Sequence, residues 1–316
     1  MSVLSRTYFH NEQAAFDFVE GIIWANGPVC PHCGGFDKIT VIKPNPEKRV
    51  RFGLKKCGEC KRQFTVRMGT IFEESKLPFT KWLQAIFLMT ASKEGVSAHQ
   101  LHRTLEVTYK TAWFLAHRIR EAMRCGDLAP FGPGGGMVEV DETFIGQNSD
   151  APKSKVAIRN MNTFLTLLDS ERGHARRIVV DHLNAANVAE ILSAKLAKEA
   201  CLMTDQAKFY IGPDKAFADH QSVSHALEEY VRKGDVTIHT NTVEGFYSIF
   251  KRGMRGAYRR CARKPLHCYA AEFYCSYSNR AARGVDDTTR AVTALQGVVG
   301  KRLKYKLSDG VNRAEA

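Results

Sequence analysis

Two sets of residues in this chain have the types and spacing to do chemistry. The first is Cys30-Pro-His-Cys33 together with Cys57-Gly-Glu-Cys60. Each knuckle sets two thiolates on a tight turn, and two knuckles complete a tetrahedral shell with no open position, so a structural Zn²⁺ is expected. His32 is a turn residue beside a shell that is already full. The second set is acidic and scattered: Asp141, Asp205 and Glu244. Gathered in one place, three carboxylates would hold two divalent cations, one activating an attacking oxygen and one stabilising the leaving oxygen of a phosphodiester. Oxygen donors with open positions suit Mg²⁺, with Mn²⁺ as a substitute.

The stretch HTNTVEGFYSIFKRGMRGAYRR, from His239, supports two readings of Glu244. Asn241 followed three residues later by Glu244 is the signature of a capped helix start, in which Glu244 only closes the helix end. Yet seven Lys and Arg and no acid lie between Lys251 and Lys264, a surface that would hold a polyanion and that includes Arg252 and Arg255. Val243, Phe246, Tyr247, Phe250 and Met254 follow helical spacing and form one buried stripe. Glu244, Ser248, Lys251 and Arg255 form a second, with Lys251 two turns from Glu244 on the same side, an acid for metal and a base for the adjoining phosphate. A solvated charged face is the ordinary account of such spacing.

The positions of these residues depend on the elements that carry them, and the chain reads as multidomain α+β. Residues 1–70 read as a helix and a zinc ribbon: KITVI and RVRFG are strand-like runs joined by PNPEK, and QFTV follows the second knuckle. Residues 71–130 are helical. LPFTKWLQAIFLMTAS has a Pro near its start and a Thr suited to capping; VSAHQLHRTLEV and TYKTAWFLAHRIREAM then follow with the short turn of a helix-turn-helix. In that motif Tyr109, Lys110 and Thr111 would face bases, Arg118 and Arg120 would meet phosphates, and Trp113, Phe114, Leu115 and Ile119 would be core. A three-helix packing module without DNA contact is the alternative. FGPGGGM, residues 131–137, reads as a linker.

Residues 138–282 change character. MVEVDETFIG, TFLTLLDSE and ARRIVVDHL read as three strands, NAANVAEILSAKLAKEA as a helix, LMTDQA as a fourth strand and SHALEEYVRKG as another helix. Three successive strands, then alternating helix and strand, give an α/β layer of the ribonuclease H-like kind. Asp141 then lies in the first strand, Asp205 ends the fourth, and Glu244 opens the last helix. Strands one and four are commonly neighbours in this architecture, so the acids converge on the sheet edge where open α/β sheets bind ligands. Glu139 shares a strand face with Asp141, and Glu142 points the other way. Cys261, Cys268 and Cys275 read as helical core, and residues 283–316 as a C-terminal extension.

Whole-chain numbers narrow the partner. The 316 residues carry 46 Lys and Arg against 33 Asp and Glu, a net charge of +13, which favours a phosphate-bearing partner or an anionic membrane. No apolar run approaches bilayer length and the N-terminus lacks a signal-like pattern, so a soluble, cytoplasmic protein is expected, nucleoid-associated if the anionic partner is DNA.

The two knuckles, GTIFEESKLPFTKWL, VEVDETFIG, TDQ, the stretch from His239 and EFYCSYSNR together resemble the zinc-ribbon transposases of bacterial insertion sequences, of the insertion-sequence-1595 type. The resemblance spans roughly residues 14–280, and the conjunction of motifs in one order is far more specific than any single one. It implies a DDE catalytic domain of ribonuclease H-like fold, with the first acid at Asp141, the second at Asp205, the third in TNTVEGF and a basic residue at Lys251. An asparagine has been described as the third ligand in this group, which here is Asn241. The chain departs from its relatives at IGQNSDAPKSK, where a second glycine and a basic segment are usual. The expected protein binds the inverted ends of its element as a homo-oligomer on double-stranded DNA. It frees a 3′-hydroxyl at each end and joins it to target DNA. The competing expectation is a DNA-binding regulator, or a decayed copy, that performs no chemistry.

Overall fold

The computed structural model describes residues 2–303 apart from 49, 125–128, 149–153, 157–159, 172, 224–238, 260, 262 and 264. The helix expected at SHALEEYVRKG, and Arg260 and Lys264 of the basic run, lie outside the described residues. Contacts divide the chain into two units, one of Met1–Ala91, Ser97–Arg124 and Asp286–Ala316, the other of Ser92–Val96 and Cys125–Val285.

The smaller strands belong to the first unit. β1 (Ile39–Val41), β2 (Lys55–Cys57) and β3 (Gln63–Phe64) form an antiparallel sheet in that order. β2 lies beyond the expected RVRFG: Ile39 pairs with Cys57 and Val41 with Lys55, whereas Val50 makes only a single bridge to Asn45. Cys57 has to turn inward beside Cys30 and Phe64, and that requirement sets the register. The same unit holds the helices α1 (Glu12–Ile23), α2 (Phe79–Ala91), α3 (Ala98–Leu105) and α4 (Tyr109–Met123). The cap of α2 comes from a distance, not from Thr80. The Glu12 carboxylate accepts from the Phe79 and Thr80 N–H groups at 2.7 and 3.1 Å. Residues expected to form an extension return to this unit as the helix Asp287–Gln296, with Leu295 and Val298 buried.

In the second unit five strands form one sheet: β4 (Met137–Ile145), β5 (Asn162–Asp169), β6 (His174–Val180), β7 (Cys201–Asp205) and β8 (Asp219–Val223). Their order is β6-β5-β4-β7-β8, with β5 antiparallel to both β4 and β6, and β7 and β8 parallel to β4. β8 was not expected, because DHQSV is too polar to signal a strand and here forms an edge. α5 (Ala185–Lys195) covers one face, where Val138, Val140, Leu165, Leu167, Val188 and Leu192 share a core. α6 (Asn241–Gly253) and α7 (Leu266–Ser278) cover the other, through Phe164, Phe246, Phe250 and Phe273.

α5 stops at Lys195, short of the expected Ala200, because the next residues are drawn into strand-like pairing. Phe131 N–H donates to the Lys195 carbonyl and Ala197 N–H to the Phe131 carbonyl, both at 2.9 Å. The glycine run therefore starts from a fixed, buried Phe131. Gly132 has φ +72°, and a Cβ there would stand 2.5 Å from Ala200 Cβ.

Candidate active site

β4 and β7 bring the acids together. Their last parallel pair is Glu139 with Met203, and two residues on the same register sets Asp141 level with Asp205, past the end of the ladder. Strand pairing no longer closes the gap between them there. Carboxylate oxygens of Asp141, Glu142 and Asp205 lie within 4.8 Å of one another. Glu142 thus departs from the expectation that it points away. Beyond Glu139 the β7 side of β4 is open, and a long side chain can curl around that free edge to reach the cluster. Tyr210 Oη donates to Glu142 Oε2 at 3.1 Å and holds it there. Asp141 Oδ1 accepts from the Glu142 N–H at 2.8 Å, and Asp205 Oδ1 from the Ala207 N–H at 3.0 Å.

Three carboxylates this close resist ionising together. Burial, then the charges of Glu142, Asp205 and Glu244, push Asp141 up to about 7. Burial and Asp205 raise Glu142 to about 7 as well. Acids with this donor set and this strain on their charge fit a divalent cation, which would supply the missing positive charge.

Glu244 stands outside the tight group of three, but its charge is felt at Asp141. It occupies the first turn of α6, whose apolar stripe Val243, Phe246, Tyr247 and Phe250 is buried as the spacing predicts. The cap expected at Asn241 is displaced by one residue: Thr240 is the N-cap and Asn241 is the exposed first residue of the helix. Val243 N–H donates instead to Glu139 Oε2 at 2.9 Å, so the first turn is satisfied from β4. Lys251 is half-buried, its Nζ 5.7 Å from the Tyr247 ring centre.

Residues expected to meet DNA divide into two groups. Tyr109 and Lys110 are exposed at the start of α4, and Thr111 is partly exposed, its hydroxyl paired with that of the N-cap Thr108 at 2.8 Å. α3 leads into them through Glu106, which takes a left-handed conformation at φ 53°. Arg118 corrects the expectation. It is 5% exposed, its Nη2 donates to the Glu73 carbonyl at 2.6 Å, and its guanidinium lies 5.0 Å from the Phe114 ring centre. Arg120 is buried too. The sequence marked α4 as basic but could not show that residues 115–120 are buried while its first residues stay exposed. Arg252 and Arg255 are exposed, Arg252 pairing with Glu94 at 3.2 Å.

The four cysteines converge as expected. Sγ of Cys30 and Cys60 are 3.7 Å apart and those of Cys33 and Cys57 3.6 Å. A Zn–S bond of about 2.3 Å gives a tetrahedron with edges of about 3.8 Å, so the cluster fits a structural zinc. The backbone N–H of Cys60 leads in pulling the Cys57 thiol down to about 7, while burial and the neighbouring thiols push Cys33 up to about 12, since thiols this close do not all ionise without a cation.

Glu142 and Tyr210 were missed because strict strand alternation was applied to a position where the ladder has already ended. The adjacent acids of VDET and the aromatic pair after TDQ were the available signals. Among the described residues no helix is long and apolar enough to cross a membrane.

Comparisons with known proteins agree with these features. Residues 134–275 match the ISXO2-like transposase domain, and residues 10–63 match the transposase zinc-ribbon domain. An uncharacterised protein in transposable element ISH50 of Halobacterium salinarum is 27% identical over 266 residues, covering 77% of this chain and 83% of that one. Among solved structures, a piggyBac transposase synaptic complex with hairpin DNA overlaps 73% of this chain and 72% of its own, at 11% identity and TM-score 0.34. A simian T-cell lymphotropic virus intasome in complex with the PP2A regulatory subunit B56 gamma overlaps 55% and 67%, at 12% identity and TM-score 0.29. Both structural likenesses are too distant to bear on this chain's chemistry. The two family matches fall on the ribbon and on the unit that gathers the acids, and the chain belongs to the zinc-ribbon DDE transposases of the insertion-sequence-1595 type.

Proposed function

We propose that this chain cuts and joins DNA at the inverted ends of its own element, using divalent cations held by Asp141, Asp205, Glu142 and Glu244. The observation that carries the reading is the meeting of three carboxylates at the open end of the β4–β7 pair, inside the transposase domain match. The strand order, three antiparallel strands followed by two parallel to the first, supports a ribonuclease H-like layer. Mg²⁺ is the favoured ion on donor type, with Mn²⁺ as its substitute.

Bound to such carboxylates, divalent cations make water a nucleophile at neutral pH and neutralise charge on a leaving oxygen. The protein's own groups set up that chemistry. Asp141 and Asp205 face each other across the strand ends, Tyr210 orients Glu142, and Glu244 approaches from α6. Asn241, exposed at the start of α6, adds a neutral oxygen donor. Lys251 lies two turns along the same helix and binds the adjoining phosphate, while Arg252 and Arg255 hold the backbone further out.

Duplex recognition falls to the other unit. α3, the turn at residues 106–108 and α4 have helix-turn-helix proportions, and Lys110 and Thr111 stand at the end of α4 that such motifs turn to bases. The ribbon, stapled by zinc, and a second copy of the chain on the paired ends complete the assembly, in the cytoplasm where the DNA lies.

The test is Mg²⁺-dependent nicking of a labelled duplex carrying the element's end. The wild type should cut it at a fixed position and Asp205→Asn should bind without cutting. Binding with no cleavage by the wild type, in Mg²⁺ or Mn²⁺, would instead identify a DNA-binding protein without chemistry.

A further inference from the structure

Glu139 is a fully buried carboxylate that the proposed chemistry does not use. Its relative exposure is 0%, and leaving a carboxylate there requires compensation. Three groups surround it: the Val243 N–H and the Ser170 hydroxyl donate to it, each at 2.9 Å, and the His239 ring stands near with its Nδ1 3.6 Å away, beyond hydrogen-bond reach. Two of the three lie at the entrance to α6. Two residues further along β4, the Asp141 carbonyl accepts from Tyr247 Oη at 2.5 Å.

The two bonds form a pattern. Positions 139 and 141 of β4 are tied to positions 243 and 247 of α6, so the fasteners bracket Glu244 on the helix and include Asp141 on the strand. Tyr247 is seated from below as well: the Arg177 guanidinium lies 3.5 Å from the Phe250 ring centre and 5.1 Å from that of Tyr247. Burial drives this arginine down to about 9, and its guanidinium, charged at neutral pH, packs over the aromatic stripe.

We infer that Glu139 and Tyr247 are positioning residues that fix the span between Asp141 and Glu244, and with it the cation affinity of the proposed centre. This rests on the reading of those acids as cation ligands. The physical reason is that a helix end can slide or fray by an ångström at little cost unless its first turn is pinned, whereas cation binding needs its oxygens set to a few tenths of an ångström. A helix packed only by its apolar stripe would keep its place in the core while its first turn drifted.

Mn²⁺ binding to the full chain, followed by calorimetry and by the electron paramagnetic resonance of the free ion, tests the inference alongside the melting temperature of the metal-free protein. Tyr247→Phe keeps the ring and removes the hydroxyl, which also interacts with Arg177 and Thr166; it should fold and weaken Mn²⁺ binding about tenfold. Glu139→Ala should weaken it similarly, and Glu139→Gln, whose amide oxygen still accepts from Val243 N–H, should restore binding to within about threefold. If Glu139→Ala fails to fold, Tyr247→Phe alone decides. Wild-type Mn²⁺ affinity in Tyr247→Phe overturns the inference even if its melting temperature falls, since that combination is what a purely structural bond would give. Asp141→Asn separates the two levels of argument. If it leaves Mn²⁺ binding intact, the centre itself is misplaced; if it abolishes binding while Tyr247→Phe does not, only the positioning role fails.

Discussion

Replacing Asp141 by Asn should make the metal-free protein more stable. Asn is nearly isosteric and its oxygen still accepts from the Glu142 N–H, so the change removes a charge and little else. Burial and the charges of Glu142, Asp205 and Glu244 raise Asp141 from 3.8 to about 7. That rise is a penalty on the ionised form of about 4 kcal/mol when complete. The sign follows from proton binding. Because the folded-state pKa lies above the unfolded one, the folded protein holds the extra proton between the two, and stability falls as pH rises. The penalty is absent below about pH 4, reaches about 1.5 kcal/mol near pH 5 and is complete above about pH 7. Urea unfolding of both proteins from pH 4 to 8, in chelator, measures the difference directly. It should be near zero at pH 4 and grow to about 2–4 kcal/mol at pH 8, the lower figure allowing for relaxation of the cluster. Saturating Mg²⁺ should then stabilise the wild type and leave Asp141→Asn unmoved. A stability difference that is flat across pH, or that favours the wild type in chelator, would refute the account of a repelling carboxylate cluster.

Other consequences can be checked separately. Glu142→Gln should bind Mg²⁺ at least about tenfold more weakly, read by the thermal shift on titration, while its metal-free melting temperature rises or stays level. Cys57→Ser should lose the zinc measured by atomic absorption and unfold residues 28–68, leaving the larger unit folded by hydrogen exchange; full zinc occupancy in a Cys30/Cys57 double substitution would contradict this. Lys110→Ala should weaken binding to end DNA. A phosphate contact lowers the salt slope by about 1 for every sequence, and a base contact relaxes one position. Arg118→Ala should instead cost on the order of 2 kcal/mol of stability, because it removes a buried guanidinium that packs on Phe114 and donates to the part-buried Glu73 carbonyl, and the folded fraction should bind DNA normally.

Local chemistry was legible in the sequence where the signal was local. The cysteine pairs needed only their own spacing, and the place of Asp141 within β4 and of Asp205 at the end of β7 could be read from the apolar runs around them. The stripe of α6 was readable for the same reason. Features that depend on distant partners were not. Asn241 looks like a cap, but Glu139, 104 residues away from Val243, satisfies the first turn of α6. Thr80 looks like a cap, but Glu12 takes that role for α2. Arg118 looks like a phosphate contact on a basic helix, and only the packing of the first unit shows it inside. Glu142 was lost to the rule of alternation, which holds while a strand has neighbours on both sides and fails where one of them ends.

The member of the proposed centre that stands outside the group of three is Glu244, which the account takes as a ligand rather than as the acid of a helix start. Glu244→Gln separates these roles, since glutamine keeps the size and can serve a helix terminus but brings no negative charge to a cation. The decisive measurement is the rate at which this variant cuts a labelled end duplex in Mg²⁺, taken on protein shown to melt and to bind that duplex like the wild type. Cleavage should fall by at least about a hundredfold with stability and DNA affinity unchanged. Cutting at the wild-type rate would contradict the assignment of Glu244, and with it the proposed cation centre in its present form.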